Sequence, residues 1–254
     1  LVTWDLSRRK ERRRFNFPSI VAITSPAWSP DSGMLVFSGA AQSGLTDMYT
    51  VDVRTGELIA LTADIYDDAD PTWHPDGDRI VFSSDRWQGG RRGLYNLFQY
   101  ELSSGQITQL TRGNHNDVQP QWAPDGSAIA FSSDRDGIYN LHVLSLDGDA
   151  EGRTARVERI GSTLTGSFDP SWLPDKSGLL FTGFEAGRFN IYRMALNLAG
   201  SGEVTADPGV EIVAYRLADL PTEGDGWQLD GNELASGSLT RRSYQRTLGL
   251  AVAR

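Results

Sequence analysis

The segment "DPTWHPDGDRIVFSSDR" at residues 70–86 returns with few changes as "QPQWAPDGSAIAFSSDR" at residues 119–135. Its core, Trp-x-Pro-Asp, occurs four times, and the tryptophans are spaced 45, 49 and 50 residues apart. A fixed period of this length is typical of repeat proteins, in which each copy is one supersecondary unit. The motif residues are Trp28, Pro30 and Asp31, then Trp73, Pro75 and Asp76, then Trp122, Pro124 and Asp125, and finally Trp172, Pro174 and Asp175.

Short runs rich in Val, Ile, Phe and Tyr follow each motif, as in "RIVFSS" and "YNLFQYEL" or "AIAFSS" and "YNLHVLSL". Pro, Asp, Gly and Ser bound these runs, which is typical of β-strands, and no segment carries a sustained helical stripe. Proline fixes φ near about −65° and glycine accepts positive φ, so Pro-Asp-Gly predicts a hairpin between the first two strands. The second strands are apolar on both faces, which predicts a sheet packed between two other sheets.

Four antiparallel strands in each period predict the blade of a β-propeller, in an all-β fold. The tryptophan at a fixed point of each copy should fill the gap between neighbouring blades. We expect the propeller to cover residues 1–217, with a partial blade near 1–20 and four recognisable repeats at 21–66, 67–115, 116–165 and 166–217.

The two ends of the chain differ from this pattern. Residues 1–15 align with residues 97–111, so we expect the chain to open with the last two strands of a blade, as a fragment of a larger protein would. Residues 218–254 are polar and rich in Gly and Ser before a strand-like end, which predicts a linker and the start of a further β domain.

Composition excludes several classes of function. The net charge of −9 argues against a nucleic-acid surface, and the absence of cysteine excludes disulfides and thiolate chemistry. No apolar run approaches the ~18 residues of a membrane-spanning helix, so we expect no such helix in this sequence. The basic run "RRKERRR" at residues 8–14 suits phosphate or anionic lipid, but an exposed hairpin is the favoured interpretation.

Catalytic motifs are not found. The three histidines form no His-Glu-x-x-His, and there is no Gly-x-Ser-x-Gly. We therefore predict no catalytic residue, no cofactor and no metal, and expect His142 to be packed in a strand. The acidic stretch "DIYDDAD" at residues 64–70 suits Ca²⁺, yet it lacks the Gly and Glu of an EF-hand loop, so a solvated loop is favoured. The repeated Ser-Asp-Arg is expected to set loop geometry, because every blade that carries it needs it.

Binding is expected where the copies differ. In antiparallel blades the second-to-third loops and the blade-to-blade connections lie at one end, which holds the longer and more variable loops, here called the loop end. Loops on a rigid scaffold are the usual place for recognition, and aromatic residues dominate binding hot spots. The predicted contact residues for a protein or peptide partner are Asp67, Asp68, Trp87, Arg91, Arg92, Asn114, His115 and Asn116.

The segments "PTWHPDGDRIVFSSDR" and "PQWAPDGSAIAFSSDRDG", each followed by a Tyr-Asn-Leu run, resemble the repeats of the TolB-like β-propeller family over about residues 1–200. The resemblance implies a non-catalytic binding scaffold that is periplasmic or otherwise exported, with envelope proteins as partners. Similar repeats also form the substrate-gating propellers of prolyl oligopeptidase-type and metallopeptidase-linked enzymes. That alternative implies a catalytic domain outside these 254 residues.

Overall fold

The computed structural model describes residues 1–86, 93–146, 156–185, 187–198, 204–206 and 213–215. The chain divides into two compact units, one formed by Leu1–Asn16 with Tyr215–Arg254 and the other by Phe17–Ala214. No helix among the described residues is long and apolar enough to cross a membrane. The predicted linker and β domain at 218–254 lie outside the described residues.

The first unit contains an antiparallel hairpin of β1 (Val2–Asp5) and β2 (Lys10–Arg14). These are the two strands expected at the start of the chain. The basic run lies in the turn and in β2, where most of its side chains are exposed, and Arg14 Nη2 lies 2.6 Å from Glu11 Oε2. The exposed hairpin favoured for this run is therefore confirmed.

The second unit contains four consecutive antiparallel sheets, each a meander of neighbouring strands. They are the four predicted blades, so the all-β propeller fold is confirmed. Blade 1 comprises β3 (Ile20–Trp28), β4 (Met34–Ala41), β5 (Thr46–Asp52) and β6 (Leu58–Ala60). Blade 2 comprises β7 (Asp68–Trp73), β8 (Arg79–Ser84), β9 (Asn96–Glu101) and β10 (Ile107–Gln109). Blade 3 comprises β11 (Asp117–Trp122), β12 (Ala128–Ser133), β13 (Asn140–Ser145) and β14 (Arg156–Arg159). Blade 4 comprises β15 (Ser167–Trp172), β16 (Gly178–Glu185), β17 (Arg188–Leu198) and β18 (Val204–Ala206), and a further short strand, β19 (Val213–Tyr215), follows.

Successive blades pack through their first strands, since β3 contacts β7, β7 contacts β11 and β11 contacts β15. Each of the three gaps between blades holds one apolar core cluster with one motif tryptophan. The second strands are buried on both faces, as predicted, and every residue of β12 is buried. Packing between sheets therefore explains why these strands alternate so little between apolar and polar residues.

Three motif tryptophans fill the gaps between blades. Trp73 donates its indole N–H to the carbonyl of Ala27 in the preceding blade over 3.3 Å, and Trp172 donates to Gln121 over 3.1 Å. Trp122 is 3% exposed, whereas Trp28, at the end of the first strand of the second unit, is 41% exposed. The predicted role of the motif tryptophan is thus confirmed for the second, third and fourth copies.

The Pro-Asp-Gly segments form the predicted hairpin turns. Asp76 Oδ1 accepts the N–H of Asp78 over 2.9 Å, and Gly77 has φ of 79°. Where glycine is absent, Ser32 and Lys176 take the left-handed conformation with φ of 59° and 61°. Gly126 is needed for space as well as for φ, because a Cβ there would lie 2.2 Å from His74 Nε2.

Candidate functional site

A cavity of about 370 Å³ lies at the loop end of the second unit. Its lining comes from blades 2, 3 and 4, close to the points where their first and third strands begin. This is the end of the blades at which the sequence analysis places binding. The lining residues are Ala69, Asp70, Tyr95, Val118, Gln119, Tyr139 and Phe168.

A β-bulge in each first strand places the polar groups of this cavity. The register of β7 shifts between Ala69 and Thr72, and β11 and β15 shift at the equivalent points. Bulges redirect side chains and are frequent next to functional sites. The residue that precedes Pro-x-Trp adopts a positive φ of 49° to 55° in every copy, and these four bulge residues are Ser25, Asp70, Gln119 and Asp169.

The bulge residues bond to one another from blade to blade. Ser25 Oγ donates to Asp70 Oδ1 over 2.7 Å, which joins blades 1 and 2. The Asp169 N–H donates to Gln119 Oε1 over 3.0 Å, and Gln119 Nε2 donates back to the Asp169 carboxylate. Side chains that lie 45 to 50 residues apart are therefore held in one row at the loop end.

Asp70 is the carboxylate among the lining residues of the cavity. Burial raises the pKa of Asp70 and the Asp169 carboxylate adds to this effect, while hydrogen bonds from Ser25 and from the Gln119 N–H oppose it. The ion pairs found among the described residues do not include Asp70. Its negative charge is thus met by neutral donors alone within that part of the chain.

Two tyrosines form aromatic walls in the same cavity. Burial raises the pKa of Tyr95, and the carboxylates of Asp67, Asp85 and Asp70 raise it further. Burial also raises the pKa of Tyr139, whose ring lies 5.4 Å from that of Phe168. The cavity therefore combines aromatic surface with an excess of negative charge.

The Ser-Asp-Arg segments fix the loops around the cavity. Arg135 Nη2 lies 2.8 Å from Asp117 Oδ1 and its Nε donates to Ser133 Oγ over 3.0 Å. Asp134 Oδ1 accepts the N–H of Asn116 in the blade connection over 2.6 Å. The same contacts occur one blade earlier, where the residues are Arg86, Asp68, Ser84, Asp85 and Asp67. The expectation that this motif sets loop geometry is confirmed.

The predicted contact residues lie in different environments. The Asp67 carboxylate accepts a hydrogen bond from the Thr46 N–H, and the Asn116 side-chain carbonyl accepts one from the Tyr95 N–H. Both side chains therefore hold the ends of loops. Asp68 has no exposed side-chain surface, whereas Asn114 is exposed.

The remaining predicted contact residues are His115 and three residues of the second-to-third loop of blade 2. His115 is 19% exposed at its side chain, with Nε2 lying 3.4 Å from Asp117 Oδ2. A Cβ at position 113 would lie 2.1 Å from the His115 ring, so this position of the ring requires glycine at residue 113. Trp87, Arg91 and Arg92 lie outside the described residues, and their role stays a prediction.

The acidic stretch at residues 64–70 is not the solvated loop that was expected. Asp47, Asp64 and Asp68 place carboxylate oxygens within 4.8 Å of one another, and Asp68 is fully buried. Burial raises the pKa of Asp47, while the hydrogen bond from the Asp64 N–H opposes this effect and the charge of the Asp64 carboxylate adds to it. Arg86 Nη1 lies 3.0 Å from Asp64 Oδ2 while Nη2 pairs with Asp68. These three carboxylates are the oxygen ligands that could hold a metal in the described part of the chain, and Arg86 already supplies a positive charge there.

His142 is packed inside blade 3, as expected. Its Nδ1 lies 3.0 Å from the Asn140 carbonyl, and its ring lies 5.7 Å from that of Phe131. Burial lowers the pKa of His142, which favours the neutral ring.

The contact residues predicted from the sequence do not include the cavity residues Asp70, Gln119, Tyr95 and Tyr139. A signal for Asp70 and Gln119 is present in the repeat itself, since the residue before Pro-x-Trp changes from Ser to Asp to Gln to Asp while the proline and the tryptophan that follow it are constant. That position satisfies the rule that function lies where the copies differ.

Comparisons with known proteins agree with this architecture. Residues 2–97 match the family model described as TolB beta propeller domain. A putative TolB from Agrobacterium tumefaciens has a TM-score of 0.62 and 20% identity, covering 80% of this chain and 68% of that one. TolB from Acinetobacter baumannii also has a TM-score of 0.62 and 20% identity, covering 82% and 49%.

A Mycobacterium tuberculosis puromycin-hydrolyzing peptidase has a TM-score of 0.54 and 16% identity, covering 83% of this chain and 30% of that one. The chain therefore spans about two thirds, half and a third of the length of these three proteins. At such identities the structural likeness concerns the fold. Together, the four blades and the match over residues 2–97 show that the chain is a β-propeller whose N-terminal repeats are similar to the TolB beta propeller domain.

Proposed function

We propose that the chain is a non-catalytic binding module that holds a protein or peptide at the loop end of its second unit. The observation that carries this proposal is the cavity of about 370 Å³ that opens among loops of three blades. Concave sites of roughly 300 to 1,000 Å³ with a few polar groups are the usual form of ligand sites. Asn114, in the connection between blades 2 and 3, is exposed at the same loop end as the cavity.

Rigid loops support this function. The blade connections are bonded to the strand ends through Asp67 and Asn116, and the partly buried Arg86 and Arg135 fix the strands beneath them. A site whose loops are ordered before binding loses less conformational entropy when a partner binds. Recognition by a preformed face is therefore the mode that these contacts favour.

An exported, cell-envelope setting forms part of the proposal. It is supported by the likeness of the repeats to those of TolB proteins. The partner class that follows is an envelope protein or a peptide segment of one.

Site-specific photo-crosslinking tests the proposed face. A photoreactive amino acid at Asn114, on the loop end, should capture a defined partner from an envelope extract. The same amino acid at Gln106, which is exposed in the β9–β10 turn at the opposite end, is the matched control. The captured partner should then bind the purified chain directly, and His115→Ala should weaken that binding. Equal capture from both positions contradicts the proposed face.

A gating propeller of a peptidase is the second candidate, supported by the fold likeness to the puromycin-hydrolyzing peptidase. The catalytic domain of such an enzyme would lie outside these 254 residues. Peptide hydrolysis by the purified chain should be absent under both proposals. Activity in this chain would therefore contradict both of them.

A further inference from the structure

We propose that the loop-end cavity binds a guanidinium group, the side chain of an arginine in the bound protein or peptide, with Asp70 as its counter-charge and Tyr95 and Tyr139 as its aromatic walls. This inference rests on the proposed function, because it names the chemical group that the binding face recognises.

The size of the cavity suits one long side chain. About 370 Å³ is far more than the ~30 Å³ share of a water molecule in the liquid and lies at the small end of ligand sites. Ala69 and Val118 offer apolar contact for an aliphatic stem, and Asp70 lies among the same lining residues. A side chain with an apolar stem and a charged head matches this division.

The charge around the cavity favours a cation. Asp70 receives hydrogen bonds from the neutral Ser25 hydroxyl and Gln119 N–H, and the Asp169 carboxylate lies near it. Arg86 and Arg135, which lie in the described parts of the surrounding loops, already pair with buried aspartates of their own. An incoming cation would offset the cost of burying the Asp70 charge, whereas an anion would add to it.

The protein itself shows how it holds a guanidinium group. Arg135 pairs with the buried Asp117 while its guanidinium carbon lies 5.4 Å from the centre of the Phe131 ring. Arg86 pairs with Asp68 in the same way, with its guanidinium 5.3 Å from the Phe82 ring. The cavity offers the same pairing of a carboxylate with aromatic rings.

The aromatic walls favour arginine over lysine. A planar guanidinium stacks on aromatic faces and is more weakly hydrated than an ammonium group, so it loses less on entering a partly buried site. The ring centres of Tyr139 and Phe168 lie 5.4 Å apart at the side of the cavity, and Tyr95 contributes a further ring to the lining.

A carboxylate at position 70 also costs stability that asparagine would avoid. Burial raises the pKa of Asp70, so the ionised form is disfavoured in the folded chain. Asparagine would keep an acceptor for Ser25 and tolerates the φ of 53° at this position. Charged groups held against their stability cost are typical of functional sites.

The test is an NMR titration of the whole 254-residue chain with N-acetyl-arginine N-methylamide. The citrulline analogue is the matched control ligand, since it has nearly the same shape and no charge. We expect the arginine probe to shift resonances of Tyr95 and Tyr139, and the citrulline probe to bind at least about tenfold more weakly. Equal affinity for the two probes, or no binding of the arginine probe, would overturn the inference.

Two substitutions in the cavity and one control at the opposite end locate the binding. Asp70→Asn should weaken the arginine probe by about tenfold or more, because a charge-assisted hydrogen bond is lost. Asp31→Asn removes the same charge from an exposed turn at the opposite end and should leave binding unchanged. Tyr139→Leu should weaken binding of the arginine probe, since it removes an aromatic wall and leaves Asp70 in place. Unchanged binding in Asp70→Asn, or an equal loss in Asp31→Asn, would place the probe elsewhere and refute the proposal.

The crosslinking experiment separates this inference from the proposed function. If the partner captured at Asn114 binds wild type and Asp70→Asn equally well, the binding face stands and its recognition of arginine is refuted. If no partner is captured but the arginine probe binds through Asp70, the cavity chemistry stands and the proposed face is refuted.

Discussion

Arg135 places its Nη2 2.8 Å from Asp117 Oδ1, and Asp117 has no exposed side-chain surface. Arg86 and Asp68 make the same buried pair one blade earlier. At the position of these two aspartates, blade 1 carries Ile23 and blade 4 carries Ser167, and neither blade has the Ser-Asp-Arg segment. The acid and the arginine are thus present together or absent together, which is expected where one charge is costly without the other.

Arg135→Ala should lower the free energy of unfolding by about 3 to 5 kcal/mol, because it leaves Asp117 buried without its counter-charge. Adding Asp117→Ser, the residue of blade 4, should restore part of that loss. Thermal and urea unfolding of the two single variants and the double variant measure the coupling. Additive losses in the double variant would show that the pair is not coupled.

The motif tryptophans should differ in importance according to the gap that each one fills. Trp122→Ala should cost about 3 to 5 kcal/mol of unfolding free energy, since the side chain is buried between blades 2 and 3. Trp28→Ala is the internal control and should cost clearly less, because Trp28 is 41% exposed. Calorimetry of both variants checks the order, and equal losses would contradict the assignment of Trp122 to the core between blades.

The propeller is predictable from the sequence because its signals are local. Pro-Asp-Gly turns and short apolar runs act within about ten residues, and a period near 50 residues then identifies the blade. The cavity is not predictable in this way, since it depends on bulges that bring Asp70 and Asp169 into one row from separate blades. The burial of Asp68 was missed for the same reason, because its partner Arg86 lies across the sheet and not beside it in the chain.

Acid should weaken the contact between the turns of blades 3 and 4. Burial raises the pKa of Asp125, but hydrogen bonds from Lys176 and Ser127 outweigh it and lower the pKa to about 2. Its folded pKa thus lies below the ~3.9 of an unfolded aspartate, so its stabilisation is present above about pH 4 and is lost as the pH falls towards 2. Lys176→Met should raise the pKa of Asp125, as followed by NMR titration, and Lys176→Arg should not.

The melting temperatures give a second measure of this contact. The difference between wild type and Lys176→Met should be small, because Asp125 is 43% exposed, and it should shrink as the pH falls below about 4. A difference that is constant with pH would mean that the ammonium group of Lys176 is not what stabilises the turn.

Asp70→Asn should make the chain more stable at neutral pH. Burial raises the pKa of Asp70, so the folded pKa lies above the unfolded one. The cost of the charged carboxylate is then absent below the unfolded pKa and grows as the pH rises through the folded pKa. Replacing it with asparagine removes this cost, so the melting temperature should rise at pH 7 and match wild type below about pH 4.

Asp31→Asn should show the opposite sign. A hydrogen bond from the Ser29 hydroxyl, together with the N–H of Gly33, lowers the pKa of Asp31, so its charged form is favoured in the fold. Its replacement should lower the melting temperature at pH 7 and have no effect in acid. A lower melting temperature for Asp70→Asn at pH 7 would show that the Asp70 carboxylate stabilises the blades, and its presence would then require no bound cation. A higher melting temperature for Asp70→Asn would mean that the chain retains a charge that destabilises the fold. Such a charge is expected of a residue that serves binding.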